Sequence, residues 1–381
     1  MIRLALIHSP SARQLPPGLE GSAVFELVGS CSARSTTAVI AQTLAPRDPE
    51  VILIDLNESN DPGELVRQLT QISRKAVFLG LGAEFTDDQR AALEMAGLAG
   101  ILNPSFGPTD LEEAIRWTLH EAHPLKHPNV LAFLPAKAGC GCSTAVLNTA
   151  AALANTLDKR TLLIEGDRRS GTLSVLLDVE SKGGLPFICA GSGQLSPVDW
   201  RQHVQAIGKL DLLLANPLRP GPQPTWATYF HILGFTEPMY DFILADLPEL
   251  VNPATTELVT AARLVFIVCE PELASLKLVQ VRRAELEATG VDPERICVLA
   301  NRWEPRRLTK EALEATTHTP MYAALPNDYQ QVKNAAMESR LVAPNSNFGK
   351  ACATLARRIG GARQAAPEGP VATLLRRFSG E

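Results

Sequence analysis

No apolar run in this chain reaches the ~18 residues that a membrane-spanning helix needs. The N-terminus, MIRLALIHSP, has no apolar core followed by a cleavage site, so it does not read as a secretion signal. The seven cysteines are odd in number and follow no framework, which argues against a disulfide scaffold and fits a reducing cytosol. Positive charge is not in excess. Lys and Arg number 36 against 41 Asp and Glu, a net charge of −5, which argues against a general nucleic-acid coat. No repeat recurs at a period of ~20–50 residues. What is there is an ordinary globular composition, 45% apolar and 20% charged, over 381 residues, enough for two or three domains.

Residues 1–122 alternate short apolar runs with helical patterns. LALI (4–7), VFELVG (24–29), VILIDL (51–56), AVFLGL (76–81) and AGILN (99–103) read as strands. Gly63–Ser73 and Asp87–Met95 read as helices, as does Thr109–Glu121, with Thr109 as its N-cap and acids in its first turn. The alternation predicts a parallel sheet with helices on both faces. HPLKHPN (123–129) reads as a linker.

A second series of buried-looking strands follows at 130–136, 161–165, 210–216, 241–248, 263–270 and 295–301. It predicts a larger α/β domain over 130–360, with loops in the Gly- and Pro-rich stretch Gly183–Pro224. Residues 361–370, GARQAAPEGP, read as a flexible linker and 371–381 as a separate small feature.

The most informative stretch is Ala136-Lys137-Ala138-Gly139-Cys140-Gly141-Cys142-Ser143-Thr144. It lies between a strand and a helical pattern, the context a phosphate-binding loop requires. Glycines let backbone N–H groups turn inward around an anion, and the helix N-terminus adds partial positive charge. Ser143 stands where a hydroxyl can hold Mg²⁺. A glycine-rich turn without a ligand is the alternative. Cys140-x-Cys142 could suggest a metal pair, but no second Cys/His pair at zinc spacing accompanies it.

This loop resembles that of the ParA/MinD family of deviant Walker ATPases, K-G-G-x-G-K-[ST]-[ST], at Lys137, Gly139, Gly141, Ser143 and Thr144. Ala138 replaces a glycine, Cys142 replaces the lysine that grips the β- and γ-phosphates, and Ala136 stands where the general loop pattern has its first glycine. A charge-assisted hydrogen bond contributes roughly 1.5–3 kcal/mol, so the missing lysine predicts at least tenfold weaker binding. The resemblance extends along the domain. TLLIEGDRRSGTLSVLLDV (161–179) is similar to the switch I strand and loop, with Asp167 at the water- and Mg²⁺-orienting position. DFILADLPEL (241–250) has the Walker B form ending in Asp246. VLANR (298–302) matches the strand ending in Asn301 and Arg302, and Pro326-Asn327-Asp328-Tyr329 matches the loop that closes over the base.

The resemblance implies two α/β, doubly wound parallel-sheet domains, the second a P-loop NTPase binding ATP and Mg²⁺. It implies nucleotide contacts from Lys137, Gly139, Cys140, Gly141, Cys142, Ser143, Thr144, Asp246, Asn301, Arg302, Pro326 and Asp328. Mg²⁺ would be held by Ser143, Asp167 and Asp246. Asp167 and Lys137 would serve hydrolysis, Lys137 by reaching a partner subunit's nucleotide.

Residues 1–122 resemble a flavodoxin-like receiver domain, with Asp55 at the phosphoacceptor position. The chemistry is missing. His8 and Ser9 stand where an acidic pair is needed, Gly80 stands for Ser/Thr, and Asn103 stands for the lysine. Asp55 then reads as a capping or strand-end group, and the unit as a binding or dimerisation module.

A receiver-like domain joined to a ParA/MinD-like domain is the arrangement of the CpaE/TadZ proteins of tight-adherence (Flp) pilus assembly. That resemblance implies a cytoplasmic, nucleotide-controlled homodimer with slow or absent hydrolysis, positioning pilus or secretion machinery. An active ATPase driving membrane on/off cycling or partitioning, and a nucleotide-free scaffold, are the alternatives. Nucleic acid is not an expected partner. In the tail, Val371, Leu374, Leu375 and Phe378 share one helical face flanked by Arg376 and Arg377, which suits an anionic membrane surface. Packing on its own domain is the other reading of that segment.

Overall fold

A computed structural model of the chain describes residues 1–8, 16–57, 61–82, 85–102, 106–124, 129–179, 183–191 and 195–361. The chain divides into two compact units, Met1–Pro124 and Leu125–Glu381. The first is built on β1 (Ile2–His8), β2 (Phe25–Ser32), β3 (Val51–Asp55), β4 (Val77–Leu81) and β5 (Gly100–Leu102). All pairings are parallel and the order is β2-β1-β3-β4-β5, the flavodoxin-like order. Residues 51–54 of β3 are buried on both faces, as a near-continuous apolar run in a parallel sheet requires.

Helices Thr37–Leu44, Pro62–Ile72, Asp87–Met95 and Pro108–Ala122 cover this sheet. Pro62–Ile72 starts where the Asp61 carboxylate accepts from the Glu64 N–H, and it buries Leu65, Val66 and Leu69. Asp87–Met95 opens with a reciprocal cap between Thr86 and Gln89. The last helix departs from expectation. Its N-cap is Gly107, not Thr109, because Pro108 is pre-shaped for the first helical position and Asp110 reaches back to the Gly107 N–H at 2.8 Å.

The second unit contains β6 (Val130–Pro135), β7 (Thr161–Glu165), β8 (Gln205–Ile207), β9 (Leu210–Leu213), β10 (Phe242–Asp246), β11 (Leu264–Cys269), β12 (Ile296–Trp303) and β13 (Met321–Pro326). They form one sheet in the order β13-β12-β11-β6-β10-β7-β9-β8, parallel except for the β8–β9 edge pair. Alternate residues of β6 feed two cores. Leu131 and Phe133 join one cluster, and Val130, Ala132 and Leu134 join the other. The helix Asn347–Gly361 closes the first cluster with Phe348, Cys352, Leu355, Ala356 and Ile359. Gly361, assigned to the linker by composition, is its last residue.

The stretch Gly183–Pro224 is more regular than its glycines and prolines suggest. It holds helices Leu185–Ala190 and Pro197–His203 besides β8 and β9. Pro186 and Pro197 both sit in first helical turns, where a missing N–H does no harm. Residues 362–381, including the tail, lie outside the described residues, as do 125–128 of the linker.

Candidate functional site

β6 lies between β10 and β11, so its carboxyl end opens at the middle of the sheet, where open α/β sheets place ligands. Residues 136–141 connect it to the helix Cys142–Ala151. Gly139 and Gly141 have φ of +81° and +86°, a left-handed conformation that a side chain would strain. A Cβ at Gly141 would also lie 2.4 Å from the Asn301 amide nitrogen, so that amide would have to shift. That amide donates to the Cys140 carbonyl at 2.8 Å, and the Cys140 thiol donates to the Val268 carbonyl at 3.2 Å. The ends of β11 and β12 thus fix the loop from below, and its helix N-terminus supplies partial positive charge.

The loop's front edge is held by acids. Lys137 Nζ lies 2.8 Å from Glu272 and 3.3 Å from Glu270, which raise its pKa. Glu270, buried, also pairs with the Arg302 guanidinium. Arg302 donates to the Gly139 carbonyl at 3.4 Å. The Ala138 N–H donates to Glu249 Oε2 at 2.9 Å, and Glu249 Oε1 lies 3.3 Å from buried Arg282. Sequence reasoning singled out none of Glu249, Glu270, Glu272 and Arg282. Glu270 ends a stretch read as a strand and Glu249 follows one, and their partners are far away in sequence.

Behind the loop, Asp246 ends β10 and is buried. Burial pushes its pKa up to about 7, against the steadying effect of the Ser143 hydroxyl and Cys142 thiol, with the charges of Glu165 and Asp167 adding to the rise. Its Oδ1 is buried without a hydrogen-bond partner. Cys142 is buried and its thiol is pushed well above its ordinary value, first by burial and then by the Asp246 charge. Burial likewise raises Cys140 to about 11 and Cys269 to about 12, so these thiols are protonated and inert.

Glu165, fully buried, accepts from the Leu173 N–H at 2.7 Å and the Ala215 N–H at 2.8 Å. It ties the turn after β7 to the end of β9. Asp167 caps that turn, its Oδ1 accepting from the Arg169 N–H at 3.0 Å and the Ser170 N–H at 2.9 Å. Buried Arg168 donates to the carbonyls of Asn216 (2.9 Å) and Arg219.

The structure therefore gathers Lys137, Gly139, Cys140, Gly141, Cys142, Ser143, Asp246, Asn301 and Arg302 around one loop. Thr144 lies in the first turn of its helix. Pro326 and Asp328 make no hydrogen bond to the loop. Pro326 ends β13, and Asp328 accepts from the Phe348 N–H at 3.2 Å, capping the last helix. Asn301, expected from the resemblance to contact the nucleotide, donates an amide N–H to the Cys140 carbonyl of the loop.

The fit to Mg²⁺ rests on the orphaned Asp246 oxygen beside Ser143. Among the described residues no group of three or more His, Cys, Asp or Glu is arranged to hold a metal ion. Mg²⁺ needs no such cage, since it is held by one or two protein oxygens together with phosphate and water.

In the first unit, Asp55 ends β3 and turns its Oδ1 to the Asn57 N–H at 3.1 Å and the Asn57 amide at 3.2 Å. A Cβ at Gly80 would meet Leu56 at 2.5 Å and Leu98 at 3.1 Å, so a hydroxyl residue there would require Leu56 to move. Ser9 and Asn103 lie outside the described residues.

No protein-family model matches the chain. The septum site-determining protein MinD of Thermotoga maritima is 27% identical over 241 residues, 61% of this chain and 88% of that protein. The tyrosine-protein kinase wzc of Salmonella typhi is 27% identical over 193 residues, 48% of this chain but 26% of that protein. Among solved structures, a ParA family ATPase from Chlorobium tepidum superimposes with a TM-score of 0.54 at 21% identity, covering 60% of this chain and 98% of that one. The MinC:MinD complex of Aquifex aeolicus gives 0.51 at 20% identity, covering 61% and 95%. About 60% of the chain therefore has the parallel-sheet P-loop fold of the ParA/MinD ATPases.

Proposed function

We propose that the second unit binds a nucleotide with Mg²⁺, ATP in the first instance, and turns it over slowly or not at all. The observation that carries this is the loop between β6 and its helix. Gly139 and Gly141 take left-handed backbone, the loop is pinned from below by Asn301, and beside it stands a buried carboxylate oxygen with no partner. Loop N–H groups and the helix N-terminus would bind the phosphates, and Ser143 and Asp246 would hold Mg²⁺. Mg²⁺ held there would neutralise charge on the bound phosphates. Two features support weak turnover. Cys142 brings no positive charge, and one oxygen of Asp167 is engaged by two backbone N–H groups.

The wider reading is a homodimeric localisation factor for tight-adherence pilus or secretion machinery, peripheral to the membrane. It is supported by the two-unit organisation, the flavodoxin-like sheet without receiver chemistry, and similarity to MinD, a septum site-determining protein. The deciding experiment is calorimetry of the purified chain with Mg·ATP, with phosphate release followed in parallel. Binding without turnover supports the reading. Turnover equal to that of an intact family member contradicts the impaired loop, and no binding at millimolar nucleotide favours a scaffold.

A further inference from the structure

We propose that Glu249 is a built-in competitor for the phosphate-binding loop, one that sets nucleotide affinity by having to leave before a phosphate can enter. This rests on the nucleotide reading above and names the residue that limits it. Glu249 follows Asp246 closely on the segment leaving β10, and its Oε2 already accepts from the Ala138 N–H at 2.9 Å. A backbone N–H presented by a glycine-rich loop is what a phosphate oxygen would take. The protein's own carboxylate occupies it.

Three further observations point the same way. The next group along the loop, Lys137, is matched in the same manner by Glu270 and Glu272. Both the N–H and the ammonium on the front edge are therefore neutralised by acids of this chain. Second, no lysine at 142 offsets that negative charge, so a phosphate approaching Glu249 meets repulsion that falls off slowly outside water. Third, the departure of Glu249 is made easy. Its other partner, Arg282, is buried, and a buried guanidinium left alone would be strongly unfavourable. Arg282 is also paired with Glu285, so it keeps a carboxylate when Glu249 swings away. Glu249 itself is about one-third exposed, with solvent to move into.

A brace and a competitor predict opposite signs. If Glu249 merely stiffened the loop, removing its charge would loosen the site and weaken binding. If it competes, removing its charge strengthens binding. The test is calorimetry of Mg·ADP and Mg·ATP with the full chain as wild type, Glu249→Gln and Glu249→Ala, alongside nucleotide-free melting curves. We expect both variants to bind about tenfold tighter than wild type or more, a gain on the scale of one charge-assisted hydrogen bond. Should Glu249→Ala melt early, Glu249→Gln, which keeps the side-chain shape, carries the comparison. Wild-type binding with equal or weaker binding by Glu249→Gln overturns the competitor and leaves the nucleotide reading standing. No binding by any of the three overturns both.

Discussion

At the scale of single residues, the weight of the site falls on Cys142 and Asp246. The Cys142 side chain is buried against the Asp246 carboxyl, in a position where a cation would find a partner already in place. Cys142→Lys is therefore expected to tighten Mg·ATP binding at least tenfold, since charge-assisted hydrogen bonds contribute about 1.5–3 kcal/mol. Calorimetry reads this directly, and unchanged affinity would show that the loop is limited elsewhere. Asp246 makes a second prediction. Its folded pKa of about 7 lies above the ~3.9 of an unfolded aspartate, so between those values the folded chain binds more protons than the unfolded one. Stability of the metal-free protein then falls as pH rises from about 4 to 7. Asp246→Asn removes the ionisation, so it is expected to melt above wild type at pH 8 in EDTA and level with it near pH 4. A shift of about 2–4 °C accompanies each kcal/mol in a unit of this size. A wild-type melting temperature that stays flat across that pH range would count against the buried carboxylate. Of this site, the glycines, Ser143 and Asp246 were legible in the sequence because strand-loop-helix order fixes where they fall. Glu249 and Glu270 were not, because an acid just past a strand acquires meaning only when the fold brings Ala138 or Lys137 to it.

At the scale of elements, legibility followed burial. The central strands are apolar runs because both faces of a parallel sheet are covered, and each was visible as such. β13 is half-buried along most of its length and β8 is three residues long, so neither carries that pattern. The helix Thr37–Leu44 buries only Ile40 and Leu44 and has no side-chain cap, which left it without a start signal. One link between elements invites a direct measurement. The Trp200 indole donates to the Tyr240 hydroxyl at 2.8 Å, and that hydroxyl donates to Asp211 at 2.7 Å. The chain of bonds joins the helix Pro197–His203, the segment before β10 and the strand β9. Tyr240→Phe leaves the buried indole N–H unpaired, a loss of about 1–3 kcal/mol. Urea unfolding followed by tryptophan fluorescence is expected to show a lower midpoint with an unchanged slope. An unmoved midpoint would mean that water replaces the hydroxyl.

At the scale of the whole molecule, the fold class of both units followed from the alternation of strands and helices, but the order of the strands did not. Which strand lies beside β6 depends on crossovers whose lengths carry no signature of direction beyond their handedness. No helix among the described residues is long and apolar enough to cross a membrane. We expect any membrane contact to involve residues 371–381, where four apolar residues at helical spacing would support only reversible binding, strengthened in a dimer by effective concentration. Co-sedimentation with anionic vesicles is expected to retain the full chain and to lose both a chain ending at Gly361 and Phe378→Glu. Equal pelleting of all three would assign membrane location to a partner protein.

The grip of Arg168 has a mechanical corollary. Its guanidinium joins the turn that begins at Asp167 to the carbonyls of Asn216 and Arg219, and between those two carbonyls stands Leu218, 97% exposed. The turn and this apolar knob are thereby geared together over the outside of the sheet, without passing through either core. Whatever rotates the Asp167 turn must carry Leu218 with it or strip a buried guanidinium of two acceptors. A movement of that turn would then be accompanied by a displacement of Leu218 at the surface.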